Sequence, residues 1–212
     1  MRALLIALAA LAFVAGCGGG NEASGTITSA ECESVDASEP RDPGTNEAPT
    51  APLEDGKTYA LTFETNCGSF AVTLDTELAP STAASLVALA QAGYFDDTLF
   101  HRIVPGFVIQ GGDPTQSGSG GPGYSTVDVP PSDARYTKGT VAMAKSGIEA
   151  PGTAGSQFFV VTADDAGLPA EYAIVGEVTD GLAVAEQIGQ LGDASEQPTQ
   201  PVVISSVTVT EG

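Results

Sequence analysis

"FHRIVPGFVIQGGD", residues 100–113, is an apolar run broken once by Pro-Gly and closed by Gly-Gly-Asp. Its halves, within "LFHRIV" and "GFVIQG", are short and rich in β-branched and aromatic residues, as strands are, and Pro105-Gly106 between them is a turn. The stretch reads as strand, turn, strand. Set into it are His101, in a chain with 1 histidine, and Arg102, in a chain with 7 lysines and arginines. Neighbours on a strand point to opposite faces, so these two side chains have different surroundings.

The flanking sequence repeats this texture. In "TYALTFET" Tyr59, Leu61 and Phe63 alternate with Ala60, Thr62 and Glu64, which predicts a half-buried strand. "NCGS" is a turn, and "FAVTL" resumes the alternation with Phe70, Val72 and Leu74, so the pair predicts a hairpin. "LAPSTAASLVALAQAGYF" changes period, with Ala83, Leu86, Val87 and Ala90 on one helical face. Pro80 suits its first turn and Gly93 its stop. Further strands are predicted at "GTVAMA", "SQFFVVT", "YAIVGEV" and "VVISSVTVT". A second helix is expected at "GLAVAEQIGQL", with Leu182, Val184, Ala185, Ile188 and Leu191 turned inward. Short strands between Gly and Pro turns, plus two helices, predict a mainly β domain closed into a capped barrel, which leaves no open edge.

At 212 residues the chain holds one well-buried domain and a tail. Its formal charge of −20 repels phosphate backbones and argues against nucleic acid as a partner. "MRALLIALAALAFVAGC" places Arg2 before an apolar run too short to span a bilayer, so residues 1–16 read as a signal peptide. Val14-Ala15-Gly16-Cys17 resembles the lipobox of bacterial lipoproteins, which implies cleavage before Cys17 and a lipid on its thiol. Residues 17–56, poor in large apolar side chains, read as a disordered tether that holds the folded unit, 57–212, at the outer face of a membrane. In an oxidising space the two remaining cysteines, Cys32 and Cys67, are expected to pair. Two cysteines and one distant histidine are too few for a zinc site, and no metal or cofactor is expected. "GSGGPG" (118–123) fits G-x-G-x-x-G, but no strand leads into it and "YSTVDVPPSD" cannot follow it as a helix, so it reads as a loop.

"FHRIVPGFVIQGGD", "GTVAMAKSG" (139–147), "GSQFFVVT" (155–162) and "LPAEYAIVGEV" (168–178) stand in this order. Together they resemble the cyclophilin family of peptidyl-prolyl cis-trans isomerases over about residues 57–211. The resemblance implies a closed eight-stranded antiparallel β-barrel capped by two α-helices. It also implies a cofactor-free enzyme acting as a monomer on proline-containing polypeptides. Arg102 matches the family's donor to the prolyl nitrogen, Phe107 its catalytic pocket phenylalanine, and Gln110 the glutamine that bonds the substrate backbone. Val108, Phe159, Leu168 and Tyr172 match the rest of the proline pocket. Ala144 and Lys145 match the segment that pairs with substrate main chain, and Gln157 a second polar residue of the groove. His101, on the other side of its strand, is expected to be a packing residue with its polar atoms satisfied. Val108, Lys145 and Tyr172 replace the Met, Asn and His often found in the family. Gly167 stands where many eukaryotic members carry Trp, which tells against tight cyclosporin binding. The competing reading is a tethered proline-peptide binding module or holdase that keeps the groove without turnover.

Overall fold

The structure, a computed structural model, describes residues 32–212. The signal peptide expected over 1–16 and the lipid expected on Cys17 lie outside the described residues. Strands β1 (Tyr59–Thr65) and β2 (Gly68–Leu74) form the first hairpin, and helix α1 (Pro80–Gln91) follows. Strand β3 (Thr98–Leu99) immediately precedes the opening stretch, which supplies β4 (Arg102–Val104) and β5 (Val108–Gly111). Then come β6 (Thr126–Val127), β7 (Thr140–Met143), β8 (Thr153–Ala154), β9 (Phe158–Val161) and β10 (Ile174–Asp180). Helix α2 (Leu182–Ile188) runs into a single tighter turn (Gly189–Leu191), and β11 (Val203–Glu211) ends the chain.

The main sheet is antiparallel, in the order β3-β11-β1-β2-β10-β7-β9-β5-β4. It has nine strands, where eight were expected from the resemblance. The extra one arises because the stretch 98–104 is interrupted at Phe100-His101. Its first part pairs with β11 and its second with β5, so the two edge strands are consecutive in the chain. Phe100 N–H still bonds to Val202 (3.0 Å) and Ile103 N–H to Glu196 (3.0 Å). The expected closure is therefore only partial: the sheet is curled, no β3–β4 ladder forms, and the chain itself links the two edge strands. A separate two-stranded ribbon, β6-β8, lies outside it.

Alternation fills the interior as the sequence predicts. Tyr59, Leu61, Phe63, Phe70, Val72 and Leu74 are all buried. Phe63 and Phe70 are partners across β1 and β2, with stacked rings 4.9 Å apart. The α1 face of Ala83, Leu86, Val87 and Ala90 is buried too, and Gly93 turns the chain after the helix at φ 68°. From α2, Ala185 and Ile188 are buried, while Leu182 and Val184, with Leu191 of the turn that follows, pack against the core from its margin. Burying one such side chain is worth roughly 1.5–3 kcal/mol, so this cluster dominates the stability of the fold.

Residues 32–56 correct the expectation of a free tether. They carry no helix or strand but lie against the folded domain and are bound to it at several points. Cys32 is disulfide-bonded to Cys67. Glu33 N–H donates to Asn66 O (2.7 Å), and Asn66 Nδ2 donates back to Glu33 O (2.7 Å). The Arg41 guanidinium donates to the carbonyls of Tyr94 and Asp96 just after α1, and Leu53 packs on the core. A segment too poor in apolar groups to fold alone is ordered here by the surface it lies on.

Candidate active site

The register of the sheet places one residue from each of five strands in a single cross-strand row. Arg102 (β4) faces Gln110 (β5), Gln110 faces Phe159 (β9), Phe159 faces Ala142 (β7), and Ala142 faces Ile174 (β10). Because side chains alternate, the residues beside them point the other way: Ile103, Ile109, Phe158 and Met143 are buried in the barrel core. The row is the outer face of the barrel wall. Such a face is normally polar, yet here Val108, Tyr136, Ala142, Phe159 and Val161 form a second buried apolar cluster. Half-buried Phe107, Ala144, Leu168 and Tyr172 pack on its rim.

All five proposed pocket residues are therefore together, although Phe107 comes from the turn before β5 and Leu168 and Tyr172 from the loop between β9 and β10. Tyr136 is the residue that sequence reasoning missed. It lies fully buried beneath the pocket, its ring 6.4 Å from Phe159 and 6.0 Å from Tyr172. Its hydroxyl donates to Tyr172 O (2.7 Å) and accepts from Tyr172 N–H (3.0 Å), which fixes the position of the rim. Burial pushes the Tyr136 phenol above its ordinary range, so it stays a neutral donor. A lone tyrosine in "PPSDARYTKG" carries no periodicity that would have revealed it.

Polar groups continue the row in one direction. Arg102 Nη1 donates to Gln110 Oε1 (3.3 Å), Gln110 Nε2 to Gln157 Oε1 (3.0 Å), and Gln157 Nε2 to Gly120 O (2.9 Å). A guanidinium can only donate, so it dictates the orientation of both amides behind it. On its other side Arg102 Nε donates to Glu196 (2.6 Å). The ion pair is at the surface: the side chains are 32% and 48% exposed, and Nη2 makes no hydrogen bond among the described residues. A docked ligand can reach this cation. The Lys145 ammonium is tied up at the edge of the groove, where it donates to Glu149 O (3.2 Å). It is also bound by Glu171 (3.1 Å) and lies 5.5 Å from the Tyr172 ring centre, so the side chain braces the rim.

A cleft of about 760 Å³ adjoins the apolar pocket, lined by Gln110, Gln157, Ala144, Lys145 and the loop 118–125. "GSGGPG" is thus a wall of this cleft and opens no helix. Gly112 lets β5 leave the sheet beneath it: at φ 86° a Cβ there would sit 2.4 Å from Ser156 O. Asp113 is fully buried; burial opposes its charge, but the Thr115 hydroxyl and the N–H groups of Gly120 and Thr115 outweigh this and hold it ionised below its usual range. His101 corrects its expectation in part. Its ring lies against Gly118 of the cleft-lining loop, and neither ring nitrogen makes a well-aligned hydrogen bond among the described residues. Burial lowers its pKa, so the ring is kept neutral.

A small antiparallel barrel carrying an apolar cluster on its outer wall, beside a partly exposed guanidinium and two oriented amides, suits a peptide-binding isomerase. No covalent step is needed for such a reaction. The barrier of about 18–20 kcal/mol is resonance in the C–N bond, and it falls if the twisted form is bound more tightly than the planar ones. Residues 60–209 match the family "cyclophilin type peptidyl-prolyl cis-trans isomerase/CLD", and the chain belongs to that family. It is 38% identical over 171 residues to the peptidyl-prolyl cis-trans isomerase A of Mycobacterium tuberculosis, covering 72% of this chain and 92% of that one. With a peptidyl-prolyl cis-trans isomerase of Schizosaccharomyces pombe it shares 40% over 147 residues, or 67% of this chain and 93% of the other. A crystal structure of a cyclophilin-type isomerase of Cryptosporidium parvum superposes with a TM-score of 0.66 at 31% identity, over 72% of this chain and 98% of that chain. The same protein in the presence of the dipeptide Ala-Pro gives 0.65 at 30% identity, over 71% and 98%. The chain is accordingly a peptidyl-prolyl cis-trans isomerase.

Proposed function

We propose that this isomerase acts on X-Pro bonds of exported polypeptides, as a monomer held by a lipid on Cys17 at the outer face of a cell membrane, and so speeds their folding. The proline ring enters the pocket of Phe107, Val108, Phe159, Leu168 and Tyr172. Gln110 and Gln157 hold the substrate backbone, and the main chain of Ala144-Lys145 pairs with it. Arg102 donates to the prolyl nitrogen as it becomes pyramidal. The observation that carries this reading is the cross-strand row, which sets Arg102 and Phe159 on either side of Gln110 on one face. The relative seen with Ala-Pro supports a proline ligand. Export is supported by the signal-like N-terminus and by the Cys32–Cys67 bond, since disulfides persist in oxidising spaces. Uncatalysed X-Pro exchange takes tens to hundreds of seconds, slow enough to limit folding, which is the need such an enzyme would meet.

Two experiments test the parts separately. Arg102→Ala is expected to lower kcat/KM in a proline-peptide assay by roughly 10²–10³, the loss that follows removal of one preorganised donor. Unchanged turnover would reject the assigned role. Cys17→Ser is expected to move the protein from the membrane fraction to the soluble one, and a variant still in the membrane fraction would reject the lipid anchor.

A further inference from the structure

The hairpin that supplies Glu196 is built with unusual care for a surface loop. Gly192 and Pro198 are bridged across it, and a Cβ on Gly192 would lie 2.2 Å from Ile103 O, so its backbone presses directly on β4. Inside it, Asp193 Oδ1 accepts from the N–H groups of Ser195 (2.7 Å) and Gln197 (2.9 Å), and Asp193 N–H donates to Gln197 O (2.8 Å). Glu196 O then accepts from Ile103 N–H (3.0 Å). The turn therefore meets β4 twice at Glu196, through its carbonyl at Ile103 and through its carboxylate at Arg102 Nε (2.6 Å).

The backbone of Glu196 does not suit its side chain. Its φ is 64°, a region glycine adopts freely and a residue with a Cβ adopts only against steric resistance. Backbone geometry alone would favour Gly or Asn at this place in the turn. What the glutamate adds is its carboxylate, and among the described residues that carboxylate has a single polar partner, Arg102. An exposed ion pair contributes little stability, so the strained residue is poorly accounted for by stability.

We propose that Glu196 is a positioning residue for isomerisation. With Nε held by Glu196 and Nη1 by Gln110, two anchors fix the plane of the guanidinium, and Nη2 is left to serve the substrate. An unanchored arginine samples many rotamers, only some of which aim a donor at the prolyl nitrogen. Glu196 removes that search before the substrate arrives. The inference rests on the role assigned to Arg102 above.

The test uses the full chain with Glu196→Gly, Glu196→Gln, Arg102→Ala and the double variant Arg102→Ala/Glu196→Gly, in a proline-peptide assay alongside thermal unfolding. Glu196→Gly relieves the backbone and removes the anchor. It is expected to keep or raise the unfolding midpoint while kcat falls roughly tenfold, with KM within about twofold of the parent. Glu196→Gln, which keeps an acceptor in place, is expected to recover most of kcat. In the Arg102→Ala background Glu196→Gly is expected to change nothing further. The inference is overturned if Glu196→Gly leaves kcat unchanged or raises it. It is equally overturned if the loss persists without Arg102, or if it merely follows a fall in the midpoint. Should Arg102→Ala itself retain full turnover, the assignment of Arg102 fails, and that result is distinct from any behaviour of Glu196.

Discussion

Phe158 and Phe159 are adjacent in sequence and almost equally buried, yet they belong to different halves of the molecule. Phe158 points into the barrel, where its ring lies 5.1 Å from Phe63, 6.1 Å from Phe95 and 6.0 Å from Phe100. Phe159 points outward onto Tyr136 and Tyr172, at 6.4 and 5.7 Å. The inner cluster draws on nearly every strand and both helices, and it is closed. The outer cluster is roofed only by the segments around Tyr136 and 163–173, and its rim stays half open. The difference shows how one wall serves two ends: one parity of β4, β5, β7 and β9 holds the barrel together, and the other builds the candidate site. A small barrel whose interior is filled with side chains has no room for a ligand inside, so the pocket has to lie outside.

This contrast has measurable consequences. Phe158→Ala leaves a hole in a closed core and is expected to cost about 3–5 kcal/mol of stability. The molecules that remain folded should keep kcat/KM within about twofold of the parent, because the mutation lies on the wrong parity for the site. Chemical denaturation and a proline-peptide assay on the same samples would check both halves. Phe159→Ala should show the reverse emphasis. Its site opens to the groove and its neighbours can relax, so the stability loss should be about 2 kcal/mol, below the Phe158 variant. Its kcat/KM should fall by an order of magnitude or more as the proline loses its floor. Equal effects from the two variants would abolish the distinction. The smallest effect is expected from Tyr136→Phe, which deletes only the hydroxyl bridging Tyr172 N–H and O. That should cost roughly 1 kcal/mol in denaturation and loosen the rim, raising KM more than it lowers kcat.

Much of this was legible before any coordinates. Alternation in "TYALTFET" and "FAVTL", the change of period in α1, and the Pro-Gly turn after Val104 are local signals, and local signals survive translation into structure. The resemblance nominates the pocket residues, and the register explains why Arg102, Gln110 and Phe159 stand side by side. What stayed hidden was set by distance in the chain. Tyr136 and Glu196 reach the site from loops whose sequence shows no period, and each is held by partners 36 and 94 residues away. The interruption at Phe100-His101 has no Gly or Pro to signal it, because it depends on β11 and β5 drawing the two ends apart. Residues 32–56 misled for a compositional reason: their order comes from Arg41, Asn66 and a disulfide rather than from buried apolar area.

The central claim is that proline docks on the outer parity of the wall, against Phe159 and beside Arg102. Intermolecular nuclear Overhauser effects between a short Ala-Pro-containing peptide and the isotope-labelled protein test it most directly. The account predicts contacts from the prolyl ring to Phe107, Phe159, Leu168 and Tyr172, and none to Phe158 or Phe63. Prolyl contacts confined to other surfaces, with the Phe159 and Tyr172 rings untouched at saturating peptide, would contradict it.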